Sequence, residues 1–333
     1  SKNSKNINII VATSGDTGAA AIDAIKGKKN VNIFVLHPHN KVSPVQRKIM
    51  STVKENNVFN IAIEGNFDDC QNLVKAMFAD KDFSNSINMS GVNSINWARI
   101  IAQAVYYFYT YFLIKDKKSI NFSVPTGNFG DVYAGYLSKK MGLPINKLIV
   151  ATNKNDILHR AISTGKYEVE TVFETNSPSM DIQVASNFER LIYDLNDFDD
   201  IETKDVMIKI KDEGKYIFAK NRLEKIRKDF LSESMNEEEV IETIRNIYNK
   251  YKVILDPHTA IGLGALNKIN IEGDNIVLAT AHPCKFPDAI DKSISIKPSL
   301  PSELQYIMDK KEYYDIVPNN VSKTKQYIKD KLK

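Results

Sequence analysis

Ile120-Asn121-Phe122-Ser123-Val124 runs without a break into Pro125-Thr126-Gly127-Asn128-Phe129-Gly130-Asp131, and Val132 to Met141 continues with helical spacing. The apolar, β-branched run reads as a buried strand, the glycines mark a turn, and the helix begins directly after it. The same order recurs near the start of the chain: strand Ile7 to Ala12, loop Thr13-Ser14-Gly15-Asp16-Thr17-Gly18, then the Ala-rich helix Ala19 to Lys26, stopped by Gly27. A strand passing through a Gly-bearing loop straight into a helix is the repeating unit of a parallel α/β sheet.

Working outward, Val31 to Leu36 and Asn57 to Ile63 read as further strands. Ser43-Pro44 opens a helix with proline near its first position, and Asn66, with Asp69 in the first turn, opens the helix through Cys70 to Phe78. Ser94 to Ile114 reads as a long helix, Lys147 to Ala151 as a strand, and Asp156 to Ser163 and Asp181 to Leu195 as helices. Asn236 with Glu239 forms an approximate capping box for Glu237 to Lys250, and Ile276 to Thr280 reads as a last buried strand. There is no solenoid-length repeat and no low-complexity linker. Topology alone sets the expected boundary: a smaller α/β lobe over 1–116 and a larger α/β lobe with a C-terminal tail over 117–333.

A chain of 333 residues is long enough for two such lobes. Its 45 basic and 41 acidic residues leave a net charge of +4, too small and too dispersed for a nucleic-acid stripe. Lys26 to Lys29 and Lys115 to Lys118 read as solvated loop ends. Cys70 and Cys284 have no metal-ligand spacing and no disulfide pattern, which fits a reducing compartment such as the cytoplasm. No apolar run approaches the ~18 residues of a membrane span. Ile100 to Ile114, broken by Gln103 and rich in tyrosine, is expected to be a buried helix.

Helix N-termini present unpaired N–H groups and partial positive charge, so both Gly-bearing loops suit carboxylates or phosphates. Neither matches the dinucleotide fingerprint or the P-loop, and a tight βα turn accounts for either one taken alone. Thr280, in Thr280-Ala281-His282-Pro283, is a third candidate because α/β folds bind ligands beyond the carboxyl ends of their strands. A hydroxyl satisfying local backbone is the plainer account of a lone threonine. His37, His39, His159, His258 and His282 show no metal-ligand spacing, and no Gly-x-Ser-x-Gly elbow occurs.

Taken together and in order, the motifs resemble threonine synthases. The resemblance rests on Ala12-Thr13-Ser14-Gly15-Asp16-Thr17-Gly18-Ala19-Ala20, Leu36-His37-Pro38-His39, Val42-Ser43-Pro44-Val45-Gln46-Arg47 and Glu64-Gly65-Asn66-Phe67-Asp68-Asp69-Cys70-Gln71. It continues through Val92-Asn93-Ser94-Ile95-Asn96-Trp97-Ala98-Arg99, Val124 to Gly130, Ser177-Pro178-Ser179-Met180-Asp181-Ile182-Gln183, Asp256-Pro257-His258-Thr259-Ala260 and Thr280 to Phe286. So many motifs in one order override the single-loop alternatives.

The resemblance implies the two-lobed α/β, tryptophan-synthase-β-like fold of pyridoxal-phosphate (PLP) enzymes, with the cofactor in a cleft between lobes. It implies conversion of O-phospho-L-homoserine and water into L-threonine and phosphate, by a protein that leans towards being a monomer. Gly127, Asn128, Phe129, Gly130 and Asp131 resemble the cradle of the cofactor phosphate, although the family often has Asn at the place of Asp131. Thr280 resembles the hydroxyl that meets the pyridine nitrogen. Ser14, Gly15, Asp16 and Thr17 resemble the loop that takes the substrate carboxylate. An ionised Asp16 would repel that group, so it is expected to turn away or accept hydrogen bonds from its own loop. Asn93, Ser94, Asn96 and Arg99 resemble the substrate-phosphate site, with Arg99 supplying the planar fork that phosphate favours and Lys285 a further charge.

The chain departs from the family in one respect. The family's Schiff-base lysine lies upstream of the Ser-Gly-Asp-Thr-Gly loop, where only Lys2 and Lys5 stand here. Neither is expected to serve, and Lys285 corresponds to a residue the family carries in addition. No catalytic residue is therefore assigned within the chain; the lysine is expected ahead of Ser1, and the chain is expected to be a fragment, a processed product or part of a longer protein. Two rival readings remain at this point: a PLP lyase of the threonine dehydratase kind, and a non-catalytic relative that binds phosphorylated ligands. The Asn-Ser-Ile-Asn-Trp-Ala-Arg cluster argues against the first, because a dehydratase substrate carries no phosphate.

Overall fold

The computed structural model describes residues 6–116 and 119–333. Lys2, Lys5, Lys117 and Lys118 lie outside the described residues. The chain begins with β1 (Ile7–Ala12), α1 (Asp16–Ile25), β2 (Val31–Pro38), α2 (Pro44–Ser51), β3 (Val58–Glu64), α3 (Phe67–Ala79), α4 (Lys81–Ser86) and β4 (Met89–Gly91). Then come α5 (Trp97–Leu113), β5 (Ile120–Pro125), α6 (Gly130–Lys140), β6 (Ile145–Thr152), α7 (Ile157–Thr164), β7 (Lys166–Glu168), α8 (Phe188–Leu195), α9 (Asp200–Glu213), β8 (Lys215–Ile217), α10 (Lys220–Asp229) and β9 (Phe230–Ser234). The remainder is α11 (Glu237–Tyr251), α12 (Pro257–Ile269), β10 (Asp274–Val277), α13 (Pro287–Ile294), β11 (Asp315–Pro318) and α14 (Val321–Lys331).

Two compact units emerge. Ser1–Asn93 and Ser299–Lys333 form one, and Ser94–Pro298 the other. The division therefore falls at Asn93/Ser94, not near residue 116, and the C-terminal tail rejoins the first unit. Both shifts have packing causes. Helix α5 buries Ile100, Ala104 and Tyr107, and the Tyr107 ring lies 4.8 Å from that of Phe122 in β5, so α5 belongs with the strand that follows it. Strand β11 extends the first sheet by pairing with β3, Asp315 opposite Ile61, and Arg47 forms a fork with Glu312 at 2.8 and 3.2 Å.

The first unit carries a parallel sheet in the order β11-β3-β2-β1-β4. Its strands are apolar on both faces, with Ile33, Phe34, Val35 and Leu36 of β2 wholly buried, as expected where helices cover a parallel sheet. The second unit carries a parallel sheet in the order β10-β5-β6-β9, and β7 and β8 form a separate antiparallel pair. Phe122, Phe129, Phe188 and Phe230 fill the core on one side of that sheet. Ile261, Ala265 and Ile290 fill the other.

The expected buried helix over 100–114 is corrected. Only the stripe Ile100, Ala104 and Tyr107 is buried, while Val105, Tyr109, Phe112 and Leu113 are exposed. One helical stripe faces α6 at this spacing, and the remaining apolar side chains point elsewhere. The expected helix over 181–195 is also shortened: a 3-10 turn at Pro178–Met180 precedes irregular backbone, and α8 begins at Phe188. Among the described residues no helix is long and apolar enough to cross a membrane.

Candidate functional site

In each sheet the strand order reverses next to the strand that carries a Gly-bearing loop. Strand β5 leads through α6 to β6 on one side, while β10 lies on the other side of β5 with Val277 opposite Ser123. The Gly127–Asp131 loop and Thr280 thus leave adjacent parallel strands at the same carboxyl edge, the place where open α/β sheets bind ligands. In the first unit β1 leads through α1 to β2, while β4 lies on the other side of β1 with Gly91 opposite Ile10. The Ser14–Thr17 loop and Asn93 share that edge.

The loop after β5 is shaped by its own polar groups. Asn128 Oδ1 accepts the Gly130 N–H at 2.8 Å, and Phe129 takes a left-handed conformation (φ 67°) that directs its ring into the core against Phe188. A Cβ on Gly127 would lie 3.0 Å from Ser179 O and 3.1 Å from Met180 Cα; one on Gly130 would lie 2.9 Å from Asn128 Oδ1 and 3.2 Å from Asn187 Nδ2. Only glycine fits this closely packed helix start. Asp131, in the first turn of α6, is not at the mouth of the loop but beneath it: the Tyr107 hydroxyl contacts its carbonyl oxygen at 2.8 Å and Oδ1 at 3.1 Å. Burial pushes the Asp131 carboxyl up to about 6, against the opposing pull of the Tyr107 hydrogen bond.

Thr280 is exposed and lies past the end of β10, which stops at Val277 rather than running on to Thr280. Its backbone N–H donates to Thr259 Oγ1 at 3.2 Å, and the Thr259 hydroxyl donates to the buried Asp256 carboxylate. Asp256 also accepts from the His258 N–H at 2.9 Å and contacts His258 Nδ1 at 3.0 Å. This group at the start of α12 fixes the backbone of Thr280 from behind. Lys285 follows on the 3-10 turn Pro283–Lys285, partly buried.

The segment leading into α5 holds Ser94, Asn96 and Arg99. Asn96 caps the helix, its Oδ1 accepting the Ala98 N–H at 2.9 Å, and Arg99 is partly buried in the first turn. Ser94 Oγ lies 3.2 Å from Ser186 Oγ. In the first unit, Thr13 Oγ1 accepts from Gly15 N at 2.9 Å and Gly18 N at 2.8 Å, closing the loop around Ser14 to Thr17. A Cβ on Gly15 would lie 2.7 Å from Gln46 Cδ, and its φ of 138° is itself glycine country. Asp16 accepts from Gln46 Nε2 in α2 at 3.1 Å, so its carboxylate turns partly to a neighbouring helix.

Sequence reasoning missed Asn187. It is fully buried and touches both Asn128 and Ser94. In the sequence it falls inside the expected helix Asp181 to Leu195, where an asparagine gives no sign of a distant partner.

The start of α6 suits a phosphate group: it offers helix N-terminal N–H groups, and glycines at 127 and 130 let the loop pack tightly where any Cβ would crowd Ser179, Met180, Asn128 or Asn187. Known proteins agree. The family model for pyridoxal-phosphate dependent enzymes matches residues 1–217, and that for the C-terminal part of threonine synthase matches residues 259–328. The threonine synthase of Pseudomonas aeruginosa is 46% identical over 331 residues, covering 98% of this chain and 71% of that protein. The crystal structure of PLP-bound threonine synthase from Brucella melitensis superposes with a TM-score of 0.94 at 44% identity, covering 98% of this chain and 71% of that one. The yeast threonine synthase structure superposes with a TM-score of 0.92 at 43% identity, over 99% and 70%.

Proposed function

The chain belongs to the threonine synthase family of pyridoxal-phosphate enzymes, and on that premise we propose how its own residues divide the work. The activity is the conversion of O-phospho-L-homoserine and water into L-threonine and inorganic phosphate. Pyridoxal phosphate, when bound, supplies an electron sink for negative charge at the substrate's α-carbon.

Gly127, Asn128, Phe129 and Gly130 hold the cofactor phosphate on the first turn of α6, with Asp131 supporting that turn from below. Thr280 presents a neutral hydroxyl to the pyridine nitrogen, positioned through Thr259 and Asp256. Ser14, Gly15 and Thr17 take the amino-acid carboxylate, while Asp16 is kept from it in part by Gln46. In the second unit, Ser94 and Arg99, with Lys285, take the substrate phosphate and hold it as it leaves. Asn96 serves mainly by capping α5, which sets the direction of Arg99.

The observation that carries this reading is the adjacency of β10 and β5: it sends the Gly127–Asp131 loop and Thr280 off the same sheet edge, at the reversal of strand order. A phosphate-release assay on O-phospho-L-homoserine, run on a protein that also carries the family's Schiff-base lysine and paired with PLP titrations of variants in each loop, tests it. The two loops should separate, one set of variants losing cofactor and the other losing substrate. The proposal extends to a monomer, by family resemblance, and to the cytoplasm, supported by two buried free thiols. Sedimentation velocity tests the first.

A further inference from the structure

Within the second unit, one side chain ties together the two phosphate-binding segments assigned above. Asn187 stands at the N-cap of α8, yet its side chain caps no backbone N–H of that helix. An asparagine there ordinarily accepts a hydrogen bond from the first turn. Instead its Nδ2 donates to Ser94 O at 3.1 Å and to Asn128 O at 3.3 Å, and its backbone N–H donates to the same Asn128 oxygen at 3.0 Å. Its Oδ1 accepts from Arg190 Nε at 3.1 Å.

Arg190 reinforces the link. Its Nη2 donates to Ile95 O at 2.6 Å, and its guanidinium lies 5.2 Å from the centre of the Trp97 ring. Gly130, the residue at the mouth of the cofactor loop, has no room for a Cβ partly because Asn187 Nδ2 occupies that space. The Asn187 amide is therefore wholly buried, and a movement of either segment must move it or break its bonds. Breaking them would strand a buried donor, which is costly.

We propose that Asn187, held by Arg190, is a positioning residue that couples the cofactor-phosphate loop to the substrate-phosphate segment, so that filling the second site alters the first. The inference rests on the assignment of both segments in the proposed function. Coupling of this kind is reciprocal and typically amounts to a factor of about 5 to 150 in affinity. It gives the protein a way to adjust the cofactor's hold when phosphorylated substrate arrives or phosphate leaves.

Phosphorus NMR on the PLP-saturated protein tests the coupling. With the cofactor loop filled, added inorganic phosphate reports on the second site by exchange broadening of its own signal. In the wild-type protein the cofactor's phosphorus resonance should move along the same titration. In Asn187→Ala, phosphate should still broaden but bind at least about 5-fold more weakly, and the cofactor resonance should stay still. Asn187→Asp keeps the acceptor for Arg190 and loses the donor; it should behave the same way and serves if the alanine variant does not fold. A cofactor resonance that stays still in the wild type while phosphate binds overturns the coupling, as does a full response in both variants. Broadening that is absent, or untouched by Arg99→Ala, instead removes the substrate-phosphate reading and the coupling with it.

Discussion

The Tyr107 hydroxyl, at the buried stripe of α5, contacts both the carbonyl oxygen and the carboxylate Oδ1 of Asp131 in the first turn of α6. The hydroxyl is wholly enclosed, and its own ionisation is pushed well above the ordinary tyrosine range, chiefly by burial. It therefore remains a donor at all working pH values. The carboxyl it meets is not so fixed.

Burial raises the Asp131 carboxyl to about 6 in the folded chain, above its ordinary value of 3.8. A carboxyl shifted upward binds its proton more tightly in the native state than in the unfolded state. Its contribution is full below the unfolded value and is lost as pH rises through the folded one. Asp131→Asn keeps both acceptors for Tyr107 and removes the buried charge. It should raise stability by about 1–3 kcal/mol above pH 7 and change little near pH 4. Urea unfolding at the two pH values checks this; an equal effect at both would mean the carboxyl is not protonated on folding.

Gly130→Val should push Asn128 and Asn187 aside and distort the start of α6. The added Cβ alone would lie 2.9 Å from Asn128 Oδ1, and the branched side chain reaches further. PLP affinity should fall at least about tenfold, equivalent to roughly 1.4 kcal/mol, with far-UV circular dichroism unchanged. Unaltered PLP titration would reduce the loop to a turn with no part in cofactor binding.

Asp256→Ala should be among the more damaging single changes in the second unit. The carboxylate is 1% exposed and serves the His258 N–H, the His258 ring and the Thr259 hydroxyl together. Loss of the cap and stranding of these donors should cost about 2–4 kcal/mol in urea unfolding. Thr259→Val leaves the cap in place but frees the Thr280 N–H, and should cost only about 1 kcal/mol.

Much of this arrangement is legible in the residues because it is locally encoded. Asn66 with Asp69 and Asn236 with Glu239 both form complete capping boxes, and the two Gly-bearing loops stand where the strand–loop–helix order puts them. What escaped depends on distant partners. The irregular stretch before Phe188 looked helical, but Asp181 accepts from Asn153, Asn155 and Thr175, and those bonds hold the backbone out of a helix. Strands β4 and β11 are short, and each exists only because a neighbour supplies hydrogen bonds. Asn187 is the sharpest case: the sequence placed it inside a helix, while its partners at Asn128 and Ser94 come from far along the chain.

The substrate carries a phosphate of its own, which leaves from the γ-carbon and must be held apart from the cofactor's phosphate. Arg99 is the leading candidate for that task. Asn96 caps α5 through the Ala98 N–H and accepts the Arg99 N–H at 3.0 Å, so the first turn of the helix is rigid where the guanidinium departs. A charge-assisted hydrogen bond contributes roughly 1.5–3 kcal/mol, and truncation leaves the phosphate under-compensated. In a protein that carries the family's Schiff-base lysine ahead of these residues, Arg99→Ala should therefore lower kcat/KM for O-phospho-L-homoserine by about 10- to 200-fold. PLP affinity should hardly change, since the cofactor phosphate rests on α6. If Arg99 were merely a surface residue of a long helix, activity would fall by less than a factor of about two. Steady-state phosphate release, measured beside a PLP titration, separates the outcomes: unchanged kinetics would take Arg99 out of the site, and equal loss of PLP binding would put it in the other pocket.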